Sequence, residues 1–263
     1  MVSPQPYRYL NIYLCIVECY KRESTMKKII PVFLSAILLA MASCGPEKII
    51  FDPASDVFVV VKTVENNNKL DTVYGLALHV FANKGIQNVQ VKPNDGSDTT
   101  YELSAYSSSP KDFFYQTPDS AFSSTPPFMG DYSFDIIAQS GEVSNMSDRL
   151  LDDLIFPTDT MKDSLNSKTS EMVLTWNKIR FADYFVIKMY DTNKEIMFGS
   201  PAKDASSATY SFGANTSGWL NGKGPTVGTN YLIEMDTYRL EPGMSGVNIQ
   251  AKSISTKMIT WGN

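Results

Sequence analysis

Cysteine is nearly absent from this 263-residue chain: the three it has, Cys15, Cys19 and Cys44, all fall within the first 44 residues. Residues 45–263 therefore have no thiol for a disulfide, a cysteine zinc site or a nucleophile. Histidine is scarcer still, with His79 alone, so neither a Ser-His-Asp triad nor a histidine metal site can be assembled persuasively. Positive charge is also short: residues 45–263 carry 18 Lys and Arg against 26 Asp and Glu, a net −8 with no basic cluster. Nucleic acid, which needs a positive footprint, is disfavoured as a partner. No apolar stretch reaches the roughly 20 residues of a membrane-spanning helix, and the stretch at 29–42 is interrupted by Pro31.

What stands at 26–44 is more telling. A basic head, Met26-Lys27-Lys28, precedes the short apolar core and then a small residue at Ser43, which describes a cleaved export signal over 26–43. Met41-Ala42-Ser43-Cys44 resembles the lipobox of bacterial lipoproteins. That resemblance implies that Cys44 is acylated and begins the mature chain. The expectation is an exported protein held on the bacterial outer membrane through its lipid anchor, facing the periplasm or the surface, with 44–56 as tether. Residues 1–25 carry Tyr7, Tyr9, Tyr13 and Tyr20 without periodicity and are expected to be a mis-assigned N-terminal extension. Cys15 and Cys19, spaced CxxxC with no histidine nearby, are a weak metal pattern.

After the tether the pattern is all-β. Val57-Phe58-Val59-Val60-Val61 is a β-branched apolar run, and residues 72–81 alternate, with Tyr74, Leu76, Leu78 and Val80 on one side and Val73, Ala77, His79 and Phe81 on the other. Further strands are expected at 86–92, 100–106, 113–116 and 132–139, separated by turn signals such as Asn94-Asp95-Gly96 and Ser140-Gly141. Short strands at this spacing, with no helix between them, predict a sandwich over 57–147. Leu150, Leu151 and Leu154 suggest a short helical turn or irregular strand within a connection at 148–168. About 219 residues after Cys44 suffice for two domains of ordinary size or one long one.

Two resemblances sharpen the fold. Gly130-Asp131-Tyr132-Ser133-Phe134-Asp135-Ile136 followed by Ser140-Gly141 looks like the F strand and F–G turn of an immunoglobulin-like domain, with Tyr132 pinning the corner. Residues 169–263 resemble a fibronectin type III domain: Met172-Val173-Leu174-Thr175-Trp176 as the B strand with its buried tryptophan, 182–187 as the C strand, Tyr231 in the tyrosine-corner position and 247–252 as the G strand. Two tandem β-sandwiches after a cleaved signal peptide are the expected architecture. In the C strand, Tyr184 and Val186 are expected to face inward, placing Phe185, Ile187 and Met189 on an outer patch with Leu232 and Tyr238.

Chemistry-bearing residues are sparse, with no phosphate-binding loop and no cofactor or metal motif. Asp152-Asp153 and Glu234/Asp236 are the nearest carboxylate pairs, but such neighbours are usually solvated. Trp219, in a glycine-rich stretch, and Tyr238, near a turn, are the candidate ligand-binding residues, because aromatic faces stack on apolar sugar surfaces without charge. Two function classes follow. One is a non-catalytic binding lipoprotein similar to the accessory lipoproteins of glycan-uptake systems; the other is a structural or adhesin-like subunit that contacts protein. A row of exposed rings favours the first, and a flat aliphatic patch favours the second.

Overall fold

The computed structural model describes residues 49–66, 69–106, 109–220, 222, 224–243 and 248–262. Cys15, Cys19, Cys44 and the signal segment 26–43 lie outside the described residues, while Phe51–Asn263 forms a compact unit. Its first half contains β1 (Pro53–Asn66), β2 (Lys69–Ala82), β3 (Ile86–Pro93), β4 (Tyr101–Glu102), β5 (Ser104–Ala105), β6 (Asp112–Gln116), β7 (Asp131–Ala138) and β8 (Val143–Arg149). Its second half contains β9 (Lys162–Asn166), β10 (Glu171–Thr175), β11 (Tyr184–Tyr190), β12 (Ile196–Gly199), β13 (Lys203–Asp204), β14 (Thr209–Phe212), β15 (Asn230–Leu240) and β16 (Ile249–Thr260). The expected strands are present except that 100–106 is broken at Leu103 into β4 and β5, which join different sheets.

The halves are two β-sandwiches that share one sheet. In the first, β1, β2, β6 and β5 face the four-stranded sheet β4-β3-β7-β8; in the second, β12, β11, β15 and β16 face the three-stranded sheet β14-β10-β9. β1 and β16 pair in parallel, with Val59 opposite Ala251 and Lys62 opposite Ile254, so the inner sheets fuse into a single nine-stranded sheet that includes β13. The segment expected to link the domains also helps build the core. Leu150, Ile155 and Met161 are buried, and its coil is fastened to β16 by Gln250, which donates to the Leu151 carbonyl (2.8 Å), and by Ser255, which accepts from the Thr158 N–H (2.9 Å). The short helix considered at 148–155 is absent, because these tertiary contacts hold the chain extended.

β1 explains its own unbroken apolar run. As an interior strand it is covered on both sides: Val57, Val59 and Val61 enter the main core, while Phe58 and Val60 form a second cluster with Ala77 on the outer face of the large sheet. Each such side chain contributes about 1.5–3 kcal/mol by burial. The outer cluster is roofed by the segment after β6, where the Phe122 ring lies over Gly75, 2.7 Å from the point where a Cβ would be. Tyr74 and Ser123 exchange backbone hydrogen bonds (2.7 and 3.0 Å), and the Lys62 ammonium sits 3.8 Å above the Phe122 ring while pairing with Asp119.

Both tyrosine corners are present. The Tyr132 hydroxyl donates to the Phe128 carbonyl (2.8 Å), and the Tyr231 hydroxyl accepts from the Thr226 N–H (2.9 Å). Trp176 is buried and meets Phe185 edge-on at 5.0 Å. One expectation is corrected: Phe185, Ile187 and Met189 are the buried side of β11, and Tyr184, Val186, Lys188 and Tyr190 lie on the outer face. The reason is electrostatic. Lys188 shares its face with Glu234 and Asp236 in a charged cluster that no dry core between sheets would hold.

Candidate interaction site

The connection between β10 and β11 is anchored from beneath and presented from above. Trp176 and Ile179 are buried, whereas Lys178, Arg180 and Phe181 point outward. Phe181 is 57% exposed and has φ +65°, a left-handed conformation that a bulky side chain rarely adopts. Arg180 and Arg239 place their guanidinium carbons 4.5 and 5.1 Å from its ring centre. Arg239, near the end of β15, is itself held by an ion pair with Asp153, while its Nη1 is buried with no acceptor among the described residues.

Phe181 separates two clefts. One, about 410 Å³, lies between residues 154–160 and 177–181; the other, about 330 Å³, is bounded by Asp183, Arg239 and the β15–β16 turn at Glu241 and Pro242. The backbone N–H groups of residues 152–156 and 178–182 donate no hydrogen bond within the described residues. Two stretches of open backbone therefore flank an exposed, strained aromatic ring. Loops carried by a rigid sandwich are where binding residues concentrate.

Nearby, Asp56, Asp148 and Glu241 bring carboxylate oxygens within 4.8 Å of one another, the set among the described residues close enough to hold a cation. Their oxygens already serve the backbone: Asp56 accepts from Ile249 N–H (3.1 Å), and Asp148 accepts from Val57 and Arg149 N–H (2.7 and 2.8 Å). Burial, reinforced by Asp148 and Glu241, pushes the Asp56 carboxyl up to about 8 even though the Ile249 hydrogen bond works against it. Burial also raises Asp148 and Glu241. The cluster is a clamp joining β1, β8 and the β15–β16 hairpin.

On the outer face, Asp236 is fully buried between Lys188 and Lys252, and the Tyr238 hydroxyl reaches it at 3.3 Å. Burial pulls the Lys188 ammonium down, but Asp236 and Glu234 more than offset this and hold it above the ordinary lysine range. Tyr190, half-buried beside Glu234, is pushed up to about 12 by its burial and by the Glu234 charge.

The structure does not bring Trp219 and Tyr238 together. Trp219 packs on Phe198, Phe212 and Trp261 and donates from Nε1 to the Gly213 carbonyl (3.0 Å), at the edge of the core. Tyr238 lies on the outer face beside Lys252, about 25 Å along β16 from Thr260 at ~3.3 Å per residue. One Tyr238 face stacks on Tyr184 at 4.7 Å, and the Lys252 ammonium stands 5.9 Å from the ring centre. Of the carboxylate pairs, Asp153 is tied to Arg239, and Glu234 and Asp236 are tied to Lys188. His79 is half-exposed and pairs with Asp112 at 2.5 Å. Sequence reasoning missed Phe181. Its signal was an aromatic beside an arginine within the polar connection Asn177-Lys178-Ile179-Arg180-Phe181 between two apolar strands.

No protein-family model matches the chain, and no curated protein matches it. Among solved structures it is similar to a cytokine receptor complex (8% identity, TM-score 0.32, covering 79% of this chain and 97% of that one). It is also similar to a segment of two fibronectin type III domains from chicken tenascin (9%, 0.29, covering 70% and 91%). A third is the BSP domain of a biofilm-associated protein (15%, 0.22, covering 81% and 30%). Likenesses this slight carry no functional argument. The class follows from the strand pairing and the tyrosine corners: an all-β protein of tandem immunoglobulin-like and fibronectin type III-like sandwiches.

Proposed function

We propose that this chain is a non-catalytic binding module, exported and lipid-anchored at Cys44 on the bacterial outer membrane, that holds a protein partner at the loop carrying Phe181. The observation that carries this is the ring itself, an aromatic kept in a left-handed conformation, exposed, and flanked by two arginines between two clefts. Backbone strain of this kind costs about 1–3 kcal/mol and persists where the surroundings impose it, often at binding sites. Aromatic residues and arginine are enriched in protein interfaces. A sugar platform at Trp219 and Tyr238 is less favoured, since the first is packed into the core and the second is stacked on Tyr184.

The test is photo-crosslinking in the native envelope, with a photoreactive phenylalanine analogue at position 181 or, as control, at exposed Phe81. Discrete protein adducts from 181 and not from 81 support the proposal; no adduct at 181 removes it. Palmitate-analogue labelling of the wild type but not Cys44→Ala supports the anchor. Labelling of both equally refutes it.

A second reading has its own observation. Tyr106, just after β5, forms a row of rings with Phe114 of β6 and His79 of β2, with centres 6.0 and 6.2 Å apart and exposed Phe81 on the same face. Such a row favours a glycan. Binding on a glycan array that is lost in Phe81→Ser and Tyr106→Ser but kept in Phe181→Ala would shift the function to that face.

A further inference from the structure

We infer that the partner is engaged as an extended peptide laid across Phe181, with an acidic residue on its Arg180 side and a basic residue on its Asp183 side. This rests on Phe181 being the binding loop. The two clefts share that residue, so together they form one groove interrupted by a ring. A folded surface of ordinary curvature would meet the ridge, whereas an extended chain can pass over it and fill both sides.

The walls favour a main chain. Among the described residues, the wall residues 154–156 and 178–181 donate no backbone N–H hydrogen bond. Unpaired backbone lining a groove is what an added strand satisfies, with side-chain pockets supplying selectivity. Arg239 contributes one more donor: its Nη1 is buried near Phe181 with no acceptor among the described residues. A carbonyl of the incoming chain supplies that acceptor once the ring turns aside.

Charge sets the direction. The larger cleft is lined by Lys178 and Arg180 against Asp159, whereas the smaller is lined by Asp183 and Glu241, with Arg239 committed to Asp153. The groove is thus positive on one side of Phe181 and negative on the other. A peptide with one acidic and one basic residue astride an apolar centre matches it in a single orientation, because the reverse places like charges together.

The experiment is a selection of random peptides displayed on phage against soluble residues 45–263, which contain the entire compact unit. Enriched peptides are then synthesised and titrated by calorimetry into wild type, Phe181→Ala, Arg180→Glu and the control Phe81→Ser, with folding checked by circular dichroism. Expected are peptides of the stated charge pattern whose affinity falls roughly tenfold or more with Phe181→Ala, as for an interface anchor. Arg180→Glu should weaken them too, and replacing the peptide's acidic residue by lysine should restore binding to that variant. Phe81→Ser should bind as wild type. Enriched peptides that bind both loop variants as well as wild type overturn the inference. So does a failure to enrich any peptide while crosslinking at 181 still traps a protein, since the partner is then gripped as a folded surface. Loss of crosslinking at 181 removes the parent proposal instead.

Discussion

The Asp56 clamp makes stability depend on pH in a direction opposite to that of ordinary carboxylates. In the unfolded chain the Asp56 carboxyl titrates near 3.8; in the fold, burial pushes it up to about 8. Between those values the folded chain holds a proton that the unfolded chain lacks. Stability is therefore greatest below the lower value and falls as pH rises through the window, levelling off above the upper one. Each pH unit inside it costs about 1.4 kcal/mol, so the whole gap costs at most about 6 kcal/mol. Asp56→Asn keeps an oxygen for the Ile249 N–H and removes the ionisation. Urea melts of wild type and variant at pH 5.5 and 7.5 isolate the effect, because titrations common to both cancel in the difference. The variant should gain about 2–3 kcal/mol on wild type over that interval, read thermally as roughly 5–10 °C. Parallel pH dependence of the two proteins would falsify the assignment of a protonated, buried Asp56.

Gly75→Ala drives a methyl group into the Phe122 ring, so a loss of about 1–3 kcal/mol is expected. Faster proteolytic cleavage within 117–125 should accompany it, and an unchanged cleavage pattern would show that the roof does not rest on Gly75. Trp176→Ala empties the space against Phe185 and should cost about 3–5 kcal/mol in a denaturant melt. Phe181→Asn puts a residue that tolerates left-handed backbone where strain is stored. It should raise stability by about 1 kcal/mol in a denaturant melt while weakening binding of the selected peptides; a destabilised variant would mean that the ring holds the loop together.

Features decided by near neighbours were legible beforehand. Alternation marked β2 and β7, and Tyr132 and Tyr231 announced their corners because the hydrogen bond returns only four or five residues. The phase of β11 was misjudged because Tyr184, Val186 and Tyr190 look as apolar as Phe185, Ile187 and Met189; Lys188, in the middle, was the residue that should have decided it. The fusion of the two inner sheets was not legible, since the β1–β16 pairing joins residues far apart in the chain and leaves no local mark. For the site, aromatic type and proximity to a turn pointed to Trp219 and Tyr238. Neighbours distant in sequence then packed the one and stacked the other, and backbone strain, invisible in composition, singled out Phe181.

The parallel seam between β1 and β16 has a mechanical consequence. A chain restrained at its N-terminal end and pulled through a bound partner transmits tension into β1 along the strand axis. β1 lies inside the sheet, zipped to β2 along its whole length and to β16 on its other side. Ladder hydrogen bonds run across the strands, so such a pull shears both ladders at once and cannot peel them one bond at a time. The strand nearest the restrained end is thus the one the sheet grips from two sides, a geometry suited to bearing load.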